Sequence, residues 1–227
     1  MNDPVAERWI STWVHLRERE TDLVDGWPLV HVGTSSRRTE LICVDPGVRE
    51  LEALLPHVAG IGDAMLTVVG TDLTGYCDLS LPDDVRVDRD DETLMTTALV
   101  TAAVPAAPDG LTATFETDGP RTTYRLDDSA RVAVEGTMGI QDGWVTFDAV
   151  ETTPAYRRRG LGRHAMTAMC ARAAAEGATH GILAASADGR ALYEALGWRV
   201  ERQLLSLMGV AQTMQNQTVQ NQTVQNH

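Results

Sequence analysis

The chain has 227 residues, of which 43% are apolar and 22% charged, a composition typical of a globular protein with a buried core. Its net charge of -13 repels nucleic acid and anionic membranes, so we expect neither as a partner. No apolar run approaches the roughly 18 residues of a membrane span, and the N-terminus lacks a secretory pattern, so we expect a cytoplasmic location. Three widely spaced cysteines (Cys43, Cys77 and Cys170) predict buried thiols, and no cluster indicates a metal.

The first part of the chain alternates helical and strand patterns. Residues 3–22 predict an amphipathic helix, with Trp9 and Trp13 on its apolar face and Asp25-Gly26 breaking it. Strands are predicted at 29–33, 39–44 and 65–70, a helix at 48–60, and two strands joined by a polar connection within 85–100.

An Ala/Pro-rich stretch at 102–110 is the clearest domain boundary. Beyond it, alternating runs punctuated by Asp-Gly and Asp-Asp predict an antiparallel meander up to residue 152. A helix at 162–177, a strand at 181–186, a helix at 189–196 and two strand-like runs within 198–208 follow. The Gln/Asn/Thr-rich residues 211–227 lack the apolar content to pack, and we expect disorder there.

The two halves of the chain share a pattern. Residues 85–95 align with 199–208, and each run is preceded by a helix and then a strand. This favours a duplication, with an N-terminal lobe at 1–104 and a C-terminal domain at 105–210. Coincidence between two similar units is the alternative.

The segment 154–163, PAYRRRGLGR, has the chemistry of an anion cradle. Its proline ends the strand, Gly160 and Gly162 allow a close backbone approach, and a helix then presents unpaired N–H groups. Four arginines add positive charge, which suits a pyrophosphate. The spacing matches neither a dinucleotide fingerprint nor a Walker loop. A basic turn with a glycine helix cap is the plainer interpretation.

The run VETTPAYRRRGLGR resembles the signature of the GNAT superfamily of N-acetyltransferases, Arg/Gln-x-x-Gly-x-Gly/Ala after a strand, through Arg157, Gly160 and Gly162. ALYEALGW at 191–198 resembles the family's second motif. The resemblance covers about residues 111–208. It implies an α/β (α+β) GNAT fold, a mixed but mostly antiparallel sheet with flanking helices, here with a second, degenerate GNAT-like lobe at the N-terminus.

The resemblance also implies a site for acetyl-CoA as co-substrate, without a metal. The residues that it assigns to the acyl-CoA are Val150, Glu151, Thr152, Arg157, Arg158, Arg159, Gly160, Leu161, Gly162, Arg163 and Ser186. In this family an amine attacks the thioester directly, and Tyr193 is the candidate acid near the sulfur. A buried structural role for Tyr193 is the alternative.

The general base is left open by the sequence. Glu151 is the first candidate because it adjoins the thioester strand, followed by Asp148, Glu135 and a water relay. Strand alternation predicts that Asp148 shares a face with Val150, with Glu151 on the other face.

Two positions differ from the family pattern. Ser186 stands where an asparagine is usual, and Gly189 where an alanine is usual, so the following helix could begin later. The helices that normally wall the acceptor site are missing between residues 119 and 121, so we expect the N-terminal half to build that wall.

The leading hypothesis is transfer of an acetyl group to a primary amine on a small molecule or a protein. The acidity favours a cationic acceptor: a polyamine, an aminoglycoside, an amino acid or a protein amine. A non-catalytic acyl-CoA-binding module and a transferase of longer acyl chains are the alternatives. The sequence leaves a homodimer open.

Overall fold

The computed structural model of the chain describes residues 3–76 and 78–211. In this part of the chain the helices are α1 (Pro4–Arg17), α2 (Val48–Leu54), α3 (Leu161–Ala175) and α4 (Ala187–Glu194). The strands are β1 (Thr21–Val24), β2 (Trp27–Val30), β3 (Thr39–Val44), β4 (Ala64–Gly70), β5 (Val85–Ala98), β6 (Thr112–Asp118), β7 (Arg121–Asp127), β8 (Val132–Gln141), β9 (Trp144–Thr152), β10 (His180–Ala185) and β11 (Arg199–Gly209).

All eleven strands form one sheet in the order β1-β2-β3-β4-β11-β5-β10-β9-β8-β7-β6. Two pairs are parallel, β3 with β4 and β9 with β10, and every other neighbouring pair is antiparallel. Each parallel pair is joined by a helix, α2 or α3, as a parallel connection requires. The expected mixed, mostly antiparallel α+β architecture is confirmed.

The last strands of the two halves are exchanged at the centre of the sheet. β5 follows β4 in sequence but pairs with β10, and β11 follows α4 but pairs with β4. β5 and β11 also pair with each other. The two segments that align in sequence are therefore neighbours that hold the halves together. Both halves run strand, helix, strand, strand, with α4 added before the last strand of the C-terminal half. The duplication and the boundaries at 1–104 and 105–210 stay predictions.

Helices cover both faces of the sheet. α1 packs on one face, where Trp9 and Trp13 join a core with Ile42, Leu94 and Leu204 that spans both halves. On the other face α3 and α4 cover the C-terminal half and α2 covers the N-terminal half. α1 approaches β8 closely because Gly139 has no side chain, and a Cβ there would lie 2.9 Å from Cβ of Leu16.

Three predicted elements are corrected by the structure. The helix predicted at 3–22 ends at Arg17, and the Asp25-Gly26 pair forms the turn of the β1–β2 hairpin rather than a helix break. Both turn residues have positive φ, 50° and 87°, which matches the twist of a tight hairpin. The pairs of strands expected within 85–100 and within 198–208 are each one strand, β5 and β11. β5 and β11 pair along the polar stretch as well, with shifts in register.

Of the predicted buried thiols, Cys43 is buried and Cys170 partly so, whereas Cys77 lies outside the described residues. The tail predicted to be disordered also lies outside them from residue 212 onward. Over the described residues, no helix has both the length and the apolar character needed to cross a membrane.

Candidate active site

The parallel strands β9 and β10 pair only at their beginnings. The paired residues are Trp144 with His180, Val145 with Gly181, and Thr146 with Ile182. β9 continues to Thr152 and β10 to Ala185 without further pairing between them. The strands therefore separate, and the gap leaves backbone groups of β9 free for a ligand.

A β-bulge shapes the separated part of β9. Glu151 pairs with Glu135 and Asp148 with Thr137, so Ala149 and Val150 together lie opposite Gly136. Ala149 takes a left-handed conformation with φ of 49°. Gly136 makes room for the bulge, since a Cβ there would lie 3.1 Å from Cγ2 of Val150.

The bulge overturns the predicted alternation along β9. Asp148 turns toward α1, where its Oδ2 lies 2.6 Å from Nη2 of Arg17, whereas Val150 packs in the core under α3. Glu151 lies on the same face as Asp148, because their partners on β8, Glu135 and Thr137, are two residues apart. Asp148 and Val150 thus lie on opposite faces, since the extra residue shifts the alternation by one.

The eight residues between β9 and α3 form a wide turn. Pro154–Tyr156 make a single 3-10 turn, and Arg158 and Gly160 then take left-handed conformations with φ of 63° and 76°. Gly160 is the N-cap of α3 and has no side chain to accept from the first helical N–H groups. A Cβ on Gly160 would meet no atom within 4 Å. The helix start is thus open to an anion.

None of the four arginines of this turn forms an ion pair with a carboxylate among the described residues. Arg157 donates from Nε to the Thr152 carbonyl at 3.2 Å, and Arg163 donates to the Ala195 carbonyl at 3.2 Å. Arg159 lies over the Tyr156 ring, 5.4 Å from its centroid. Their charge is held in place without being neutralised, which suits a phosphate-bearing ligand.

The turn and the start of α4 enclose an open groove of 830 Å³, which we call the arginine groove. Of the residues assigned to acyl-CoA, the groove lining includes Val150, Glu151, Thr152, Arg157, Arg158, Gly160, Leu161, Gly162, Arg163 and Ser186. Arg159 is not in the lining. Ser186 is the N-cap of α4, and its Oγ accepts from the Gly189 N–H at 3.2 Å. α4 therefore begins at Ala187, before the predicted start at residue 189.

A second cavity, of 370 Å³, lies on the other side of the gap, and we call it the central cavity. It shares Val150, Glu151, Ser186 and Gly189 with the arginine groove, so the two spaces meet where β9 and β10 separate. Its walls come from α1, β3, β4, β5, β9, β10, α4 and β11.

The three carboxylates considered as a base differ in their partners. Asp148 is paired with Arg17, and Glu135 with Arg125. Glu151 lines both spaces and has no ion-pair partner among residues 3–76 and 78–211. Of the three, Glu151 is the carboxylate available to a ligand.

Tyr193 lies on α4 against the central cavity and is 8% exposed. Its ring packs on Trp198 at 5.8 Å and on Gly189, where a Cβ would come within 3.1 Å of the ring. Burial raises the pKa of the Tyr193 phenol to about 12, so it stays protonated at neutral pH. Its hydroxyl has no hydrogen-bond partner among the described residues and can donate to a ligand in the cavity.

Residues 113–198 match the model of the Acetyltransferase (GNAT) family. The C-terminal half contains a GNAT-family domain. That range holds the arginine groove, the bulged strand and Tyr193.

Solved structures extend the similarity in fold to nearly the whole chain. A GCN5-related N-acetyltransferase from Kribbella flavida is 16% identical, with a TM-score of 0.63 over 94% of this chain and 98% of its own. A GCN5-related N-acetyltransferase-like protein from Streptococcus suis is 12% identical, with a TM-score of 0.53 over 83% and 87%. A tandem GNAT protein from the clavulanic acid biosynthesis pathway is 13% identical, with a TM-score of 0.51 over 82% and 79%. No curated protein sequence matches the chain.

The N-terminal half has the same strand order around its parallel pair, but it has no equivalent of the arginine groove. β3 and β4 pair without interruption from Thr39 with Ala64 to Val44 with Val69, so no gap opens between them. Only Asp45-Pro46-Gly47 connects β3 to α2, against eight residues in the GNAT domain. Tyr76, which follows β4 as Tyr193 follows β10, donates its hydroxyl hydrogen to the Pro46 carbonyl. The N-terminal half therefore has no gap between its parallel strands, whereas the GNAT domain has one.

Sequence reasoning missed most residues of the central cavity. Trp9 and Trp13 were assigned only to an apolar helix face, and buried Glu40 was read as part of an ordinary strand. One signal was present, since a glutamate inside the apolar run TELICV is uncommon unless its charge is paired.

Proposed function

We propose that the protein transfers an acetyl group from acetyl-CoA to the nitrogen of a primary amine. The observation that carries the proposal is the meeting of two chemically different spaces at the gap between β9 and β10. One is lined by unpaired arginines and a helix N-terminus. The other is lined by aromatic rings and by three arginine–carboxylate pairs, with Glu151 as the carboxylate that has no ion-pair partner among the described residues. A phosphate-bearing thioester suits the first space and an amine suits the second.

The arginine groove supports acetyl-CoA as the donor. Arg157, Arg158 and Arg163, with the open N-terminus of α3, would hold the pyrophosphate. Backbone groups of β9 from Val150 to Thr152, which do not pair with β10, would hold the pantetheine amides. Bound there, acetyl-CoA supplies an activated carbonyl whose carbon–sulfur bond breaks as the new carbon–nitrogen bond forms.

Two side chains suit the proton movements of this reaction. Glu151, unpaired and at the gap, would take the proton of the incoming ammonium directly or through a water. Tyr193 would donate a hydrogen bond to the sulfur as negative charge develops there. An ordinary thiol has a pKa of about 8.5, so a phenol with a pKa of about 12 does not give its proton up fully to the thiolate. Tyr193 therefore acts as a hydrogen-bond donor rather than as the final proton source. The second proton, which the nitrogen loses as the amide forms, would pass to the departing thiolate of CoA.

The proposal is tested by adding acetyl-CoA to the wild type and to a Gly160→Glu variant while following the melting temperature. At about 100 times its dissociation constant the ligand adds roughly 2.7 kcal/mol of stability, which raises the melting temperature by about 5 to 10 °C. Glu at position 160 places a carboxylate in the anion cradle, so we expect the rise to vanish.

Gly177→Glu is the matched control, because Gly177 follows the other end of α3, has φ of 96° and would also meet no atom within 4 Å. It strains the backbone equally but lies outside the arginine groove, so the ligand-induced rise should persist. Release of CoA on addition of amines then separates an enzyme from an acyl-CoA-binding module. Absence of any rise in the wild type would contradict the proposal.

A further inference from the structure

The charges that line the central cavity nearly balance. Its described lining holds three guanidinium groups and four carboxylates. The arginines are Arg17, Arg37 and Arg89, and the carboxylates are Glu40, Glu92, Asp148 and Glu151. The cavity therefore carries one more negative than positive group.

Each arginine pairs with one of these carboxylates. Arg89 also pairs with Asp88, which lies outside the lining and pairs in turn with Arg86. Arg37 Nη1 lies 2.8 Å from Glu40 Oε2, and Arg89 Nη1 lies 2.9 Å from Glu92 Oε1. With the pair of Arg17 and Asp148, these contacts account for every lining charge except Glu151. The charge available to a ligand in this cavity is therefore the carboxylate of Glu151, at the gap where the thioester carbonyl would lie.

The pair of Arg37 and Glu40 is also the most deeply buried of the three. The Glu40 side chain is 4% exposed, and its other oxygen accepts from the Thr67 hydroxyl at 2.6 Å. Thr67 in turn lies 3.4 Å from Ser206 Oγ, and both residues are buried. These groups come from β3, β4 and β11, so the wall that they form opposite the GNAT domain is polar and neutral overall.

We propose that the acceptor is a small primary amine with a single positive charge and an uncharged, hydroxyl-bearing body. This inference rests on the proposed function and narrows it. Glu151 receives the ammonium, and the wall of Glu40, Thr67 and Ser206 hydrogen-bonds the body. Once Glu151 has paired with the ammonium, a polyamine would bury a second cation without a counter-charge, and a carboxylate-bearing amine would bury an anion without one.

The first test compares four amines that share a six-carbon chain and differ only at the far end: hexylamine, aminohexanol, aminohexanoate and hexamethylenediamine. Release of CoA from acetyl-CoA is followed, and kcat/KM is compared. We expect aminohexanol to exceed aminohexanoate and the diamine by at least about tenfold, and hexylamine by a smaller factor. A preference for the carboxylate or the second ammonium overturns the inference and leaves the proposed function intact.

The second test breaks the buried ion pair from either side. Glu40→Gln leaves Arg37 unpaired, so the ratio of kcat/KM for aminohexanoate to that for aminohexanol should rise by at least about tenfold. Arg37→Gln leaves Glu40 unpaired, so the ratio of kcat/KM for the diamine to that for aminohexanol should rise instead. Because each result is a ratio within one variant, partial loss of folded protein cancels. Opposite shifts cannot come from a general loss of structure.

A surface ion pair supplies the control. Arg172 and Glu176 pair on the outside of α3, away from both spaces, and Glu176→Gln should leave every ratio unchanged. Unmoved ratios in both Glu40→Gln and Arg37→Gln overturn the inference. Absence of turnover with all four amines, with acetyl-CoA still raising the melting temperature, overturns the inference, whereas absence of that rise overturns the proposed function.

Discussion

Replacement of Tyr193 by phenylalanine separates the chemistry of this side chain from its packing. The ring is buried against Trp198 and Gly189, and phenylalanine retains those contacts. Among the described residues the hydroxyl has no hydrogen-bond partner, so its removal breaks no bond within the protein. We therefore expect Tyr193→Phe to change the melting temperature by less than about 2 °C.

The effect on turnover follows from the bond that the hydroxyl would make to the developing thiolate. A hydrogen bond to a charged group contributes about 1.5 to 3 kcal/mol, so kcat should fall by about 10- to 150-fold. KM for acetyl-CoA should change little, because the bond forms only as charge develops on sulfur. Since burial holds the pKa of Tyr193 near 12, the wild type should show no fall in kcat caused by this phenol below about pH 10.

The assay measures kcat and KM by CoA release between pH 6 and pH 10, beside thermal melting of each variant. Tyr76→Phe is the matched control from the N-terminal half, where the hydroxyl donates to the Pro46 carbonyl. That change should cost about 1 kcal/mol of stability and leave kcat unchanged. Tyr193→Phe should thus lower kcat and keep stability, whereas Tyr76→Phe should lower stability and keep kcat.

Two results would refute this reasoning. Unchanged kcat in Tyr193→Phe would return Tyr193 to a purely structural role. A wild-type fall in kcat with an apparent pKa below about 10 that disappears in Tyr193→Phe would show that burial does not keep the phenol protonated.

Two further predictions concern stability. Asp3 is buried and paired with Arg202; its burial raises the carboxyl pKa, but the hydrogen bonds from Arg202 and the Ala6 N–H outweigh this and lower it. Asp3→Asn should cost about 3 kcal/mol in urea unfolding at pH 7, and the difference from wild type should shrink as pH falls below about 4, through the lowered folded pKa; a difference that grows instead would contradict the assignment. Gly209→Ala would place a Cβ 1.9 Å from a backbone carbonyl oxygen and should lower the melting temperature by about 6 to 12 °C, whereas Gly75→Ala, with no atom within 4 Å, should change it little.

Local features of the chain were predictable because their physics lies within a few residues. The turn at 154–163 combines a proline, two glycines and four arginines before a helix, and in the structure these residues form a wide turn with no side-chain cap on the helix that follows. The alternating runs up to residue 152 form β6 to β9. The absence of helices between residues 119 and 121 correctly indicated that other elements wall the cavity beside the gap.

The errors arose where the outcome depends on a partner distant in sequence. Asp25-Gly26 ends a helix or turns a hairpin according to whether β2 finds β3 as a neighbour. The sequence predicts a connection at the polar stretch of β5. In the structure this stretch is part of the strand, because β11 pairs along it. The face taken by Asp148 depends on the bulge, which needs Gly136 on the neighbouring strand.

The sequence by itself determined the residues of the arginine groove: the bulged strand's position, the arginine turn and Tyr193 lie within one continuous segment, and their chemistry is local. Only the tertiary structure decided the central cavity. Trp13, Glu40 and Ser206 lie far apart in the chain and meet because β5 and β11 exchange places and α1 spans both halves. The wall of Glu40, Thr67 and Ser206 is neutral, and Glu151 is the unpaired charge of the described lining. Both follow from ion pairs that form only when those segments pack together.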